Sequence, residues 1–93
     1  MASAKKRNRL EVIRDILAVI KHKNGPIKPT HILYKSNLSY AMMEEYLEEL
    51  LEKEFILEQK KEGRTTYSIT DKGMRYLEKY RLIVEFSESF GLG

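Results

Sequence analysis

Apolar residues recur every three or four positions along much of the chain, which is the spacing of amphipathic helices. Residues 9–23 form one such segment, and residues 39–53 form another. The apolar face of residues 9–23 comprises Leu10, Ile13, Ile16, Leu17 and Ile20. That of residues 39–53 comprises Met43, Tyr46, Leu47, Leu50 and Leu51. We expect both faces to be buried in one core.

A shorter helix is predicted between these two, over residues 28–36. Pro29 suits its first turn, where the missing N–H has no helical partner to lose. Ser36 and Asn37 are expected to end it, because their side chains compete for nearby backbone groups. Ser39 is a favourable N-cap for the helix that follows. Two helices joined by so short a polar turn predict a helix-turn-helix.

A β-hairpin is predicted directly after the third helix. The first strand begins in residues 55–57, Gly63 permits the turn, and Thr65, Tyr67 and Ile69 alternate on the returning strand. A hairpin behind a helix-turn-helix is a wing. The predicted fold is therefore α+β, mostly α: a winged helix-turn-helix with three helices, a two-stranded wing and a C-terminal helix.

The last helix, capped by Thr70 and Asp71, has more apolar residues than a single buried face needs. They are Met74, Tyr76, Leu77, Tyr80, Leu82, Ile83, Val84 and Phe86. The surplus predicts a symmetric homodimer formed by this helix. The expected interface residues are Leu77, Tyr80, Ile83, Val84 and Phe86. The alternative is that the helix folds back on its own core, with Phe86 and Phe90 tucked in.

Length and composition limit the possibilities further. The 93 residues suit one small domain, and the absence of cysteine fits a reducing cytoplasm. No apolar run approaches the ~20 residues that a membrane helix needs. We expect a soluble, cytoplasmic, nucleoid-associated protein in three regions: a flexible basic arm (residues 1–8), a winged helix-turn-helix domain (9–70) and a dimerisation helix with its tail (71–93).

Charge is distributed unevenly along the chain. Residues 39–54 contain six glutamates and one lysine, so this segment carries −5 while the rest of the chain carries +8, for a net charge of +3. The positive charge is concentrated in the arm, beside the helix-turn-helix and in the wing. A basic frame around an acidic helix is therefore a property that the function must accommodate.

Three stretches of sequence resemble a known group of proteins. They are ILYKSNLSYA (residues 32–41), YLEELLEKEFI (46–56) and YSITDKGMRYL (67–77). The chain resembles the small archaeal winged-helix DNA-binding proteins, which include ten-kilodalton chromatin-type dimers and related transcriptional regulators. The resemblance implies a cytoplasmic DNA-binding protein that dimerises through its last helix, often as an antiparallel coiled coil. The last helix of this chain is comparatively short for that pattern.

In a winged helix, the start of the second motif helix enters the major groove of DNA. Carried onto this sequence, the expected DNA-binding residues are Lys28, Lys35, Ser36, Asn37, Ser39, Tyr40 and Met42, with Lys60, Lys61 and Arg64 on the wing. Glu44 and Glu45 complicate this assignment, because phosphates repel carboxylates. Either the helix enters the groove shallowly, or this acidic helix binds a basic protein partner instead.

Catalytic chemistry is not indicated. The sequence has no nucleophile–base pair and no glycine-rich phosphate loop. His22 and His31 are its only histidines, and without cysteine a metal site would need carboxylates that the pattern does not provide. We therefore expect neither an enzyme nor a protein that needs a metal or a cofactor.

Overall fold

The computed structural model describes residues 7–92. Most of the predicted basic arm, including Lys5 and Lys6, lies outside the described residues. The elements are α1 (Arg9–Lys23), α2 (Pro29–Ser36), α3 (Tyr40–Glu52), β1 (Ile56–Lys61), β2 (Arg64–Ile69) and α4 (Asp71–Ser89). This order confirms the predicted α+β, mostly helical winged helix-turn-helix with a C-terminal helix. No helix in the described part of the chain is long and apolar enough to cross a membrane.

Helix α1 begins and ends at asparagines. The Asn8 side chain accepts from the Glu11 N–H at 2.8 Å, and the Glu11 side chain accepts from the Asn8 N–H at 2.9 Å, which forms a capping box. The helix ends at Asn24, whose backbone is left-handed with φ of 57°. Gly25, the next residue, is not in a left-handed conformation. Asparagine can adopt the left-handed conformation because its short polar side chain tolerates it.

The turn of the helix-turn-helix differs from expectation at one residue. Asn37 ends α2 in a left-handed conformation, and its N–H donates to the Leu33 carbonyl at 3.2 Å. Ser36 does not help to end the helix, because its hydroxyl donates to the Ile32 carbonyl one turn earlier. Ser39 caps α3 as predicted and accepts from the Met42 N–H at 3.2 Å.

The wing is a two-residue hairpin that is joined to the start of the helix-turn-helix. Its turn residues Glu62 and Gly63 both have positive φ, as a type I′ turn requires. At the base of the wing, the backbone groups of Ile27 and Tyr67 exchange two hydrogen bonds of 2.9 Å. The linker before α2 therefore forms an isolated β-bridge with β2, which fixes the wing relative to α2.

The core lies between α1, α2, α3 and the wing. Its buried apolar residues are Val12, Ile13, Ile16, Leu17, Ile20, Ile27, Ile32, Met43, Leu47, Leu50, Ile56 and Tyr67. The expectation that Leu10 is buried was wrong, because 55% of its surface is exposed. Leu10 lies at one edge of the apolar stripe of α1, and Val12 at the opposite edge is the residue that packs inward.

The start of α4 is tied closely to the corner between α3 and β1. The Thr70 hydroxyl lies 2.7 Å from the Glu54 carbonyl oxygen and accepts from the Gly73 N–H at 3.1 Å. The Lys72 ammonium donates to the Lys53 carbonyl at 2.8 Å. Gly73 is buried, and a β-carbon there would lie only 2.5 Å from the Phe55 carbonyl oxygen. A glycine is therefore needed at this crossing.

Candidate nucleic-acid interface

The first turn of α3 presents polar and apolar side chains to solvent. Ser39, Tyr40 and Met42 are all exposed, and Tyr40 has 61% of its surface accessible. The Glu44 carboxylate raises the pKa of the Tyr40 phenol, mainly as a hydrogen-bond acceptor for the hydroxyl and secondly through its negative charge. The phenol of a tyrosine is protonated at neutral pH, so the hydroxyl can donate a hydrogen bond. These groups can donate to phosphates or contact a thymine methyl.

The turn before α3 supplies fewer groups than expected. Ser36 has only 1% of its surface exposed, and its hydroxyl is already donated to a backbone carbonyl. The prediction that Ser36 contacts DNA was therefore wrong. Lys28, Lys35 and Asn37 are exposed, as a contact surface requires.

Two exposed side chains near this turn were not in the predicted set. Arg7 spans two helices, since its guanidinium contacts the Asp15 carboxylate at 2.6 Å and the Asn37 carbonyl at 3.2 Å. Tyr34 on α2 has 83% of its surface exposed. The exposure of Tyr34 could have been predicted from the sequence. Ile32 and Leu33 point toward the core, and the next residue of a helix then points toward solvent.

The three basic residues of the wing do not share a face. Lys61 lies directly opposite Arg64 in the strand register, so both side chains project from the same face of the hairpin. Lys60 pairs with Thr65 and projects from the other face, which farther down the strand carries Tyr67. Both faces at the wing tip therefore carry positive charge.

Tyr67 packs the wing against the core of the domain. Burial raises the pKa of its phenol, and the nearby Glu58 carboxylate raises it further, at 3.5 Å from the hydroxyl. The backbone of Tyr67 also pairs with Ile27 in the linker before α2. The wing is therefore held in a fixed position relative to the helix-turn-helix.

The acidic residues of α3 lie mostly on its solvent side. Glu44, Glu45, Glu48 and Glu52 are exposed. Glu49 is half-buried and forms an ion pair with Arg9 of α1. Only Glu44 and Glu45 are within the first two helical turns of α3. Most of this negative charge therefore lies in the C-terminal half of α3, away from the turn that joins α2 and α3.

The exposed apolar residues of α4 form a separate surface. Ile83 and Phe86 each have 67% of their surface exposed, and Phe90 has 65%. The alternative in which Phe86 and Phe90 tuck under the chain's own core is therefore wrong. Leu77 and Tyr80, predicted for a dimer interface, are half-buried within their own chain. Val84 is exposed, with 38% of its surface accessible.

Within residues 7–92, no group of three or more histidine, cysteine, aspartate or glutamate side chains is arranged to hold a metal ion. The features that the structure does bring together are a helix-turn-helix, a hairpin wing beside it and exposed basic groups around both. This arrangement is that of a winged helix-turn-helix protein.

The model of the winged helix-turn-helix family matches residues 6–88, and the chain belongs to this family. It is 38% identical over 82 residues to the uncharacterized protein MJ0290 of Methanocaldococcus jannaschii. That match covers 84% of this chain and 36% of the other, so the chain spans about a third of the length of this curated relative.

Two solved structures are similar in fold. Sso10a-2, a DNA-binding protein from Sulfolobus solfataricus, has a TM-score of 0.78 at 21% identity, with 90% of this chain and 85% of that chain covered. MepR, a transcription regulator of the Staphylococcus aureus efflux pump MepA, has a TM-score of 0.74 at 16% identity, with 85% and 60% covered. The resemblance to small archaeal winged-helix DNA-binding proteins is thus confirmed.

Proposed function

We propose that this chain binds duplex DNA as a homodimer, as a transcriptional regulator or a chromatin-type protein. In this proposal, residues 9–70 bind DNA and residues 71–93 join two copies. The observation that carries the proposal is that exposed cations occur on two elements beside α3: Lys28 and Lys35 before and on α2, and Lys60, Lys61 and Arg64 on the wing. Phosphates lie on both sides of the major groove, so a helix that enters the groove needs cations in those two positions.

The first turn of α3 is the part that meets base edges in this arrangement. Ser39, Tyr40 and Met42 face the groove, while Lys28, Lys35 and Asn37 contact the backbone beside it. Entry is shallow, so that the exposed glutamates of the later turns remain in water. Shallow entry keeps those carboxylates away from the phosphates that would repel them.

The wing supplies the second set of backbone contacts. Lys61 and Arg64 are directly opposite each other in the hairpin, and like charges in that arrangement destabilise a strand pair. A phosphate placed between them would relieve the repulsion. Lys60 on the other face contacts the adjacent phosphate or enters the minor groove.

The wing's contribution can be measured with Arg64→Ala. We expect this variant to weaken binding to all duplex sequences about equally and to reduce the magnitude of the salt slope by about 1 per bound copy, because each copy loses one phosphate contact. The measurement is fluorescence anisotropy of labelled duplexes at several salt concentrations. Arg81→Ala is the matched control, since Arg81 is on α4 and pairs there with Glu78 and Glu85. An unchanged slope in Arg64→Ala would remove the wing from the DNA contacts.

The homodimer is supported by the exposed apolar stripe of α4. Leu82, Ile83, Phe86 and Phe90 recur at helical spacing on one side of the helix and are all exposed in the single chain. A second copy that presents the same stripe would cover it in a two-fold arrangement. Ile83, Val84 and Phe86 are the interface residues that are most accessible, while Leu77 and Tyr80 would contribute only their exposed edges.

A second candidate function follows from the acidic side of α3. The exposed Glu44, Glu45, Glu48 and Glu52 could bind a basic protein surface instead of DNA. In that case a basic partner would lose affinity when Glu44 and Glu45 are replaced by glutamine, and the chain would have no affinity for duplex DNA at low salt. The DNA-binding function is preferred, because exposed cations are present both on the helix before the turn and on the wing, while most of the acidic residues lie in the later turns of α3.

A further inference from the structure

A groove lies between the C-terminal half of α1 and the outer side of α2. Its volume is about 420 Å³, which is within the range of sites for small molecules, about 300–1,000 Å³. Val19 of α1 and Ile27 of the linker contribute its apolar floor. Ile27 is part of the core, with 1% of its surface exposed, so the floor is held by the packing of the domain.

Among residues 7–92, all the ionisable side chains that line this groove are basic. They are His22 and Lys23 from the last turn of α1, and His31 and Lys35 from α2. His31 and Lys35 are four residues apart, which places them one above the other on the same side of α2. The carbonyl end of α1 carries a partial negative charge, but the full charges of the lysines exceed it.

We propose that this groove binds a small organic anion, an apolar body that carries one carboxylate, and that its binding weakens the hold on DNA. The apolar floor favours the body of such a molecule, since apolar surface leaves water. The lysines favour the carboxylate by charge and by hydrogen bonds. A simple inorganic anion would gain no binding free energy from the apolar floor. A neutral apolar molecule would gain none from the basic side chains at the rim of the groove, and a metal cation would be repelled by the lysines.

The effect on DNA follows from Lys35, and this part rests on the proposed function. Lys35 lies in the last turn of α2, immediately before the residues of the helix-turn-helix turn. It belongs both to the rim of the groove and to the proposed phosphate contacts. A carboxylate bound to Lys35 competes with a DNA phosphate for the same ammonium group. By linkage, DNA weakens binding of the anion by the same factor.

Calorimetric titration of the full chain with 2-naphthoate, without DNA, tests the site. We expect saturable binding, and at least tenfold weaker binding of the neutral 2-naphthalenemethanol. The double variant Lys23→Gln with Lys35→Gln should bind naphthoate at least tenfold more weakly. The matched double variant Lys60→Gln with Lys61→Gln removes the same charge from the wing and should bind it as the unaltered chain does.

Three results of this titration would overturn the site. They are no saturable binding, equal binding of the alcohol, and unchanged binding by the Lys23, Lys35 double variant. The proposed effect on DNA binding is tested by measuring the dissociation constant for duplex DNA by fluorescence anisotropy. One titration contains sodium naphthoate, and the control contains sodium chloride at the same concentration. A raised dissociation constant for DNA in the unaltered chain, absent from the double variant, supports competition, and an unchanged constant overturns it. A chain that binds naphthoate but no duplex would refute the DNA-binding function while leaving the site in place.

Discussion

Replacement of Gly73 by valine is expected to lower the free energy of unfolding by about 3 kcal/mol, the upper part of the range for overpacked sites. A β-carbon at this position would lie 2.5 Å from the Phe55 carbonyl oxygen and 2.7 Å from Cγ1 of Ile69. The carbonyl is backbone and also accepts from the Thr70 N–H at 3.1 Å, so it cannot rotate away. The start of α4 would have to move outward, and the contacts around Thr70 and Lys72 would be lost with it.

Gly25→Ala is the control for this variant. A β-carbon at Gly25 has no atom within 4 Å, so this substitution should change stability by less than about 0.5 kcal/mol. Denaturant unfolding followed by circular dichroism measures both variants. A loss of less than about 1 kcal/mol in Gly73→Val would mean that α4 does not cross the corner between α3 and β1 as closely as described.

Replacement of Ile83 by glutamate is expected to yield monomers and to lower the affinity for duplex DNA by 10²–10⁴-fold. Ile83 belongs to the exposed apolar stripe of α4, and two-fold symmetry would place two buried carboxylates in one interface. The loss of affinity follows because two linked domains bind one duplex with a high effective concentration, which a monomer lacks. The single domain should remain folded, since Ile83 is 67% exposed.

Sedimentation gives the oligomeric state of this variant, and anisotropy gives its affinity for DNA. Arg81→Ala is the matched control, because it also lowers the charge of α4 by one unit but lies on the side away from Leu82, Ile83 and Phe86. Its two exposed ion pairs contribute little to stability. A dimer that persists in Ile83→Glu would mean that another surface joins the two copies.

The fold could be predicted from sequence because its main determinants are local. The spacing of apolar residues located α1 and α3, Ser39 and Thr70 marked the starts of helices, and Gly63 marked the wing turn. The sequence did not decide between two neighbouring residues that suit the same structural position. Both Asn24 and Gly25 tolerate a left-handed backbone, and Asn24 is the one that adopts it at the end of α1. Val12 replaced Leu10 in the core, because a stripe of apolar positions does not fix which of its edges is covered.

The candidate site was harder to predict, because it depends on which polar atoms are already used within the chain. Ser36 belongs to a polar turn in the sequence, but the structure buries its hydroxyl against a carbonyl of α2. Arg7 belongs to a basic arm, but it is held by Asp15 and Asn37 across two helices. Such long-range pairs leave no periodic signal, and only the fold brings their members together.

The most direct test of the account is a titration of random-sequence duplex DNA with the unaltered chain at several salt concentrations. Five exposed cations per copy are proposed to contact phosphates: Lys28, Lys35, Lys60, Lys61 and Arg64. Each contact contributes about −0.9 to the slope of log affinity against log salt, so we expect binding at low salt with a slope of about −4.5 per bound copy, or about −9 for the homodimer. Absence of duplex binding even at low salt would contradict the account and favour the acidic face of α3 as a protein-binding surface.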